Sequence, residues 1–189
     1  MSAAIFSAVV LAGCLAALLT AAVIDLKWRI VPNRLVIVIA GGGMALRLSS
    51  SPGLIWVSLL VAAVFFVVLG RLSHHDWIGG GDAKLIAAVT LLAPPAGIAK
   101  LLFDITLAGG LMSCVYLMTQ FLLGRTAVSP HRDADALYAT QGGEGLLRQE
   151  CVRIAAGEPM PYALAVLGGV LCFSFSEAME CSFAISCSF

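Results

Sequence analysis

The chain has 189 residues, 60% of them hydrophobic and 12% charged, with a formal net charge of zero and a mean hydropathy of +1.00. A soluble domain needs more polar surface than this. A neutral chain also gives no electrostatic case for binding nucleic acid, so the partner implied first is a lipid bilayer.

The apolar residues fall in blocks at about 3–25, 33–48, 54–70, 82–99, 98–123 and 161–176. Crossing a hydrocarbon core takes about 20 helical residues. The blocks predict an all-α, polytopic membrane protein of about six transmembrane helices, one domain over 1–189. In the first block, Leu11-Ala12-Gly13-Cys14 looks like a lipoprotein cleavage box. A signal peptide carries basic residues before its apolar core. None precedes Lys27, and the apolar run continues to Ile24, so 3–24 reads as a retained helix. The second block follows Pro32-Asn33 and contains Gly41-Gly42-Gly43, a small-residue patch that permits close helix approach, as does Gly109-Gly110 in the fifth. The fourth is short: Asp82 to Ala93 makes about 18 Å of helix before Pro94-Pro95 interrupts it. A polar loop at about 124–160 precedes the last block. Within it, Leu147, Cys151, Ile154 and Ala155 share a face, as in a helix lying in the membrane interface. The tail from Glu177 to Phe189 suggests neither a span nor a folded unit.

Charge sets the topology. With the amino terminus outside, the inner segments hold Lys27, Arg29, Arg34, Arg71, Lys84, Arg125, Arg132, Arg148 and Arg153, and the outer segments hold only Arg47 and Lys100. This bias makes the loops at 26–33, 71–82 and 124–160 cytoplasmic. Trp28, Trp56 and Trp77 read as interfacial anchors. The six cysteines have no metal-binding spacing and read as small apolar fillers. No metal or other cofactor is expected, and adjacent His74 and His75 read as loop polarity.

Two acids interrupt apolar stretches at the cytoplasmic ends of helices: Asp25 at the exit of the first, Asp82 at the entry of the fourth. Ionisable groups at such depths are costly and mark function. Parity puts both on one membrane face. Two carboxylates that share a proton can activate water and polarise a peptide carbonyl. Each also has a structural reading, Asp82 as a helix cap and Asp25 as an interfacial ion-pair partner. Their pairing favours catalysis. Asp76 and Asp104 are weaker candidates, the first in a polar loop and the second near the outer side. The helix ends would make Asp82, at an amino terminus, the base and Asp25, at a carboxyl terminus, the acid.

Asp82 closes Gly79-Gly80-Gly81-Asp82, where glycines leave room for an extended substrate backbone. Asp25 is followed by Pro32-Asn33, a turn into the second helix. The first motif resembles the GxGD signature of intramembrane-type aspartic proteases. Asp25 with Pro32-Asn33 resembles the first catalytic segment of type IV prepilin leader peptidases, and Pro161-Tyr162 the opening of their last helix. The resemblance implies an aspartic endopeptidase in the bacterial inner membrane. It would remove the basic leader from prepilin or pseudopilin precursors at the cytoplasmic face, with Asp25 and Asp82 catalytic. Gly79, Gly81, Lys84, Pro32, Asn33, Pro161 and Tyr162 would shape the site. Residues 26–33 leave no space for the cytoplasmic domain that larger members carry, often with paired cysteines, in connection with N-methylation. The chain thus resembles the compact branch serving Flp-type (tight-adherence) pili, and methyltransferase activity is not expected. The alternatives are a GxGD protease that cuts within the membrane, and a small transporter or secretion-machine subunit whose carboxylates relay protons.

Overall fold

The structure is a computed structural model, and it describes residues 3–75, 78–124 and 160–186, with side-chain surroundings for 5–75, 78–122 and 160–180. Every regular element among them is helical. The α-helices are α1 (Ala3–Trp28), α2 (Asn33–Ser50), α3 (Ile55–His74), α4 (Gly80–Val89), α5 (Ile98–Gly124) and α6 (Tyr162–Ser186). Pro52–Leu54 and Pro95–Gly97 form 3-10 turns that lead into α3 and α5.

The six expected helices are found among the described residues, and four of them have by themselves the length and apolarity of a membrane span, two fewer than the six spans expected. Among the described residues, only α1, α3, α5 and α6 are long and apolar enough to cross a membrane. With 10 residues, α4 reaches about 15 Å. Its apolar character serves burial inside the protein: Ala83 and every residue from Leu85 to Ala93 are buried. A helix that is apolar all round needs partners on all sides, and α4 packs against α2, α3 and α6. The 18-residue α2 carries Arg34, Arg47 and three glycines, which lower its apolarity.

The chain divides into two compact units, Met1–Ala108 with Pro161–Phe189, and Gly109–Met160. In the first, α1 packs on α2 and α6, and Leu18, Ile39, Leu85, Val89, Leu101, Ile105, Val166 and Val170 form the centre of the core. Gly43 lets α2 press on the chain just after α4, since a Cβ there would lie 2.7 Å from Leu91 Cβ and 2.9 Å from its carbonyl carbon. Gly41 has open space around the Cβ position, so only part of the first glycine patch serves close approach, and Gly110 in the second patch has open space as well. Arg47, counted among the outer charges, is buried, and its Nη2 donates to the Leu92 carbonyl oxygen at 3.1 Å. That carbonyl lies just beyond α4, where no helical donor follows. In the second unit, Ser113 Oγ lies 2.9 Å from the Gly109 carbonyl oxygen and 3.3 Å from Met160 Sδ.

The tail, which suggested neither a span nor a folded unit, continues α6 as far as Ser186. Lys100 Nζ meets Glu180 Oε1 at 2.6 Å and Glu177 Oε1 at 3.9 Å, tying the start of α5 to the far part of α6. The expected interfacial helix and almost all of the loop at about 124–160 lie outside the described residues, as do Asp76 and Trp77.

Candidate active site

Asp25 lies one turn before the end of α1 and is 6% exposed. The helix stops after it by a left-handed residue: Arg29 has φ 56°, and its N–H donates to the Asp25 carbonyl oxygen at 2.8 Å. A residue in this conformation, with its N–H reaching back to the last turn, is a common way to close an α-helix. Asp25 therefore closes α1 through its backbone. The reversal leads through Val31 to Pro32, whose extended conformation (φ −66°, ψ 126°) starts α2. The Pro32 carbonyl accepts the Leu35 N–H at 3.0 Å.

Asp82 sits in the first turn of α4. Gly79 precedes the helix, and its carbonyl accepts the Ala83 N–H at 3.1 Å. A Cβ on Gly79 would lie 2.8 Å from Asp82 Oδ2, and one on Gly81 would lie 3.1 Å from Val31 Cβ. The glycines thus do two things. One leaves room for the Asp82 carboxylate, and the other lets the start of α4 lie against the segment that follows Asp25. Asp82 is half-buried and within electrostatic reach of Asp25.

The start of α6 completes the site. Pro161 and Ala163 are buried and Tyr162 half-buried. The Ala163 N–H donates to Asp25 Oδ2 at 3.1 Å, and Tyr162 is within electrostatic reach of Asp82. Lys84 Nζ donates to Asn33 Oδ1 at 3.4 Å, a long bond between exposed side chains that links α4 to the start of α2. The structure thus brings together Asp25, Asp82, Gly79, Gly81, Tyr162 and the Pro161 segment, and pairs Lys84 with Asn33 beside them. Asp104 lies on α5 and acts electrostatically on Lys100. His74 and His75 are exposed at the end of α3, their rings edge to face at 6.5 Å. Among the described residues, no three His, Cys, Asp or Glu side chains gather as a metal site.

Sequence reasoning missed the Ala163 N–H. A backbone donor has no residue signature, and the only signal was Pro161, which precedes the unpaired N–H groups of a helix start.

Comparison with curated proteins gave no match, and neither did comparison with solved structures. A family model described as the type IV leader peptidase family matches residues 12–121, more than half of the chain. The matched stretch contains both Asp25 and Asp82. The chain belongs to the type IV leader peptidase family.

Proposed function

We propose that this protein is an aspartic endopeptidase that cuts the basic N-terminal leader from prepilin-like precursors at the cytoplasmic face of the inner membrane, with Asp25 and Asp82 as its catalytic pair. The observation that carries this reading is the pairing of two acids from distant parts of the chain. Asp25 comes from α1 and Asp82 from the first turn of α4, and the charge of one acts on the other. Two carboxylates in reach of each other titrate as a pair, so one proton is shared between them at intermediate pH. The ionised member takes a proton from water, and the other donates to the carbonyl oxygen of the scissile peptide.

Gly79 and Gly81 leave an edge of backbone beside Asp82 along which an extended peptide can lie. Pro32 and Asn33 shape the turn after Asp25, Lys84 braces it through Asn33, and Pro161 and Tyr162 form the wall contributed by α6. The excess of basic residues in the loops at 26–33 and 71–82 supports a cytoplasmic site. The short 26–33 connection supports a peptidase of the compact, Flp-associated kind without methyltransferase activity.

The test is precursor processing. A tagged prepilin-like protein with a basic leader is co-expressed with the wild type, Asp25→Asn or Asp82→Asn, and its size is read on a blot at equal enzyme abundance. The wild type shortens the precursor, and each variant lowers processing by about a hundredfold or more. Wild-type rates in either variant remove that aspartate from the mechanism.

A further inference from the structure

The helix ends that carry Asp25 and Asp82 argue for opposite protonation roles, but the fold adds a third helix end. Asp25 Oδ2 accepts the N–H of Ala163 at 3.1 Å in a buried setting. Ala163 is the second residue of α6, so its N–H is one of those that a helix cannot satisfy internally. It is an oriented donor that an anion meets in line with the helix axis. Pro161 and Ala163 are buried around it, and α6 packs on both α1 and α4, the two helices that carry the acids. Among the described residues, no donor reaches the Asp82 carboxylate, and the residue preceding its helix, Gly79, has no side chain with which to cap it.

We propose that the amino end of α6 is a positioning element of the dyad: the Ala163 N–H holds Asp25 as the anionic member, which leaves Asp82 as the carboxyl that carries the proton. This rests on the aspartic-dyad reading above, and it reverses the roles that the ends of α1 and α4 imply alone. The direct bond decides the matter. A hydrogen bond to a charged acceptor is worth about two to three times a helix-end dipole. Among the described residues, the other ionisable groups near this end of the fold are Lys84 on α4, Tyr162 on α6, Lys27 and Arg29 around the end of α1, Arg34 on α2, and Arg71, His74 and His75 at the end of α3, whose Ser73 lies against Gly80.

The reaction then runs in a fixed direction. Asp25 takes a proton from water as the water oxygen adds to the scissile carbonyl carbon, and Asp82 gives its proton to the carbonyl oxygen. When the C–N bond of the tetrahedral diol breaks, the proton on Asp25 passes to the leaving nitrogen. A diol hydroxyl returns a proton to Asp82. One water is consumed, and both carboxyls end as they began.

Two comparisons test this on the full-length protein in membranes, with a tagged prepilin-like precursor as probe and kcat and KM read separately. Ala163→Gly keeps the N–H, and Ala163→Pro removes it at a position in the first helical turn where proline is tolerated. We expect kcat within about threefold of wild type for Ala163→Gly. For Ala163→Pro we expect a fall of about tenfold to a hundredfold with KM unchanged, the size of one charge-assisted hydrogen bond. In the second comparison, Asp82→Asn leaves a neutral hydrogen-bond donor where a neutral donor is needed, so it retains slow cleavage, whereas Asp25→Asn removes the base and retains none. Equal kcat in the two Ala163 variants, or more residual cleavage in Asp25→Asn than in Asp82→Asn, overturns the proposal and leaves the dyad standing. Wild-type rates in both aspartate variants overturn the dyad itself. If Ala163→Pro fails to accumulate, the aspartate comparison decides alone.

Discussion

Gly79 has an ordinary backbone conformation, φ −61° and ψ 134°, which any residue adopts. Its lack of a side chain matters for space alone, because a Cβ would meet Asp82 Oδ2 at 2.8 Å. The atom it would meet is the end of a short side chain that can rotate away, so folding tolerates the change. On the proposed dyad, catalysis does not, since an acid displaced by about 1 Å loses about a hundredfold in rate. Gly79→Ala is expected to keep the wild-type melting temperature in detergent and to lower precursor processing by about tenfold to a hundredfold. A loss of stability matching the loss of activity would assign Gly79 to the fold rather than to the site.

At the scale of elements, the short α4 explains how a carboxylate pair is held in an apolar protein. α2, α3 and α6 surround α4, and this packing holds Asp82 within electrostatic reach of Asp25. At Gly43 of α2 the neighbour is the Leu91 backbone just after α4, which cannot swing aside. Gly43→Ala is therefore expected to cost about 1–3 kcal/mol, the usual range for overpacking a core. It should show as a fall of several degrees in thermal unfolding of the purified protein, with lost activity following lost fold. An unchanged melting temperature would mean that the two segments can separate freely. Arg47 belongs to the same junction through its bond to the Leu92 carbonyl.

At the scale of the whole molecule, many large apolar side chains of the described helices are exposed. Ile37 is 70%, Phe103 66% and Leu60 65% exposed, on α2, α5 and α3. In water such faces would drive aggregation; in a bilayer the acyl chains solvate them. The charge bias of the loops then sets orientation. On the proposed orientation, in which α2 crosses the membrane, alkaline phosphatase fused after Ser51 should be active and fused after His75 should be inactive. The opposite pattern would place the candidate site on the outer face and exclude a cytoplasmic cleavage reaction.

Composition and block length were enough to establish an all-α membrane protein, because hydropathy is a sum over residues and needs no knowledge of neighbours. Asp25 and Asp82 stood out for the same local reason, as acids within apolar runs. Their shared face is the expectation of counting six spans, of which α2 and α4 do not by themselves reach the length and apolarity of the other four. Tertiary structure alone decided the rest. Apolar character cannot distinguish a helix facing lipid from one enclosed by other helices, so only packing showed that α4 is buried within the protein. The ends of α1 and α6 depended on capping and on partners such as Lys100 for Glu180. One partner of Asp25 is the backbone N–H of Ala163, a group that almost every residue carries, and only the fold selects which one a carboxylate meets.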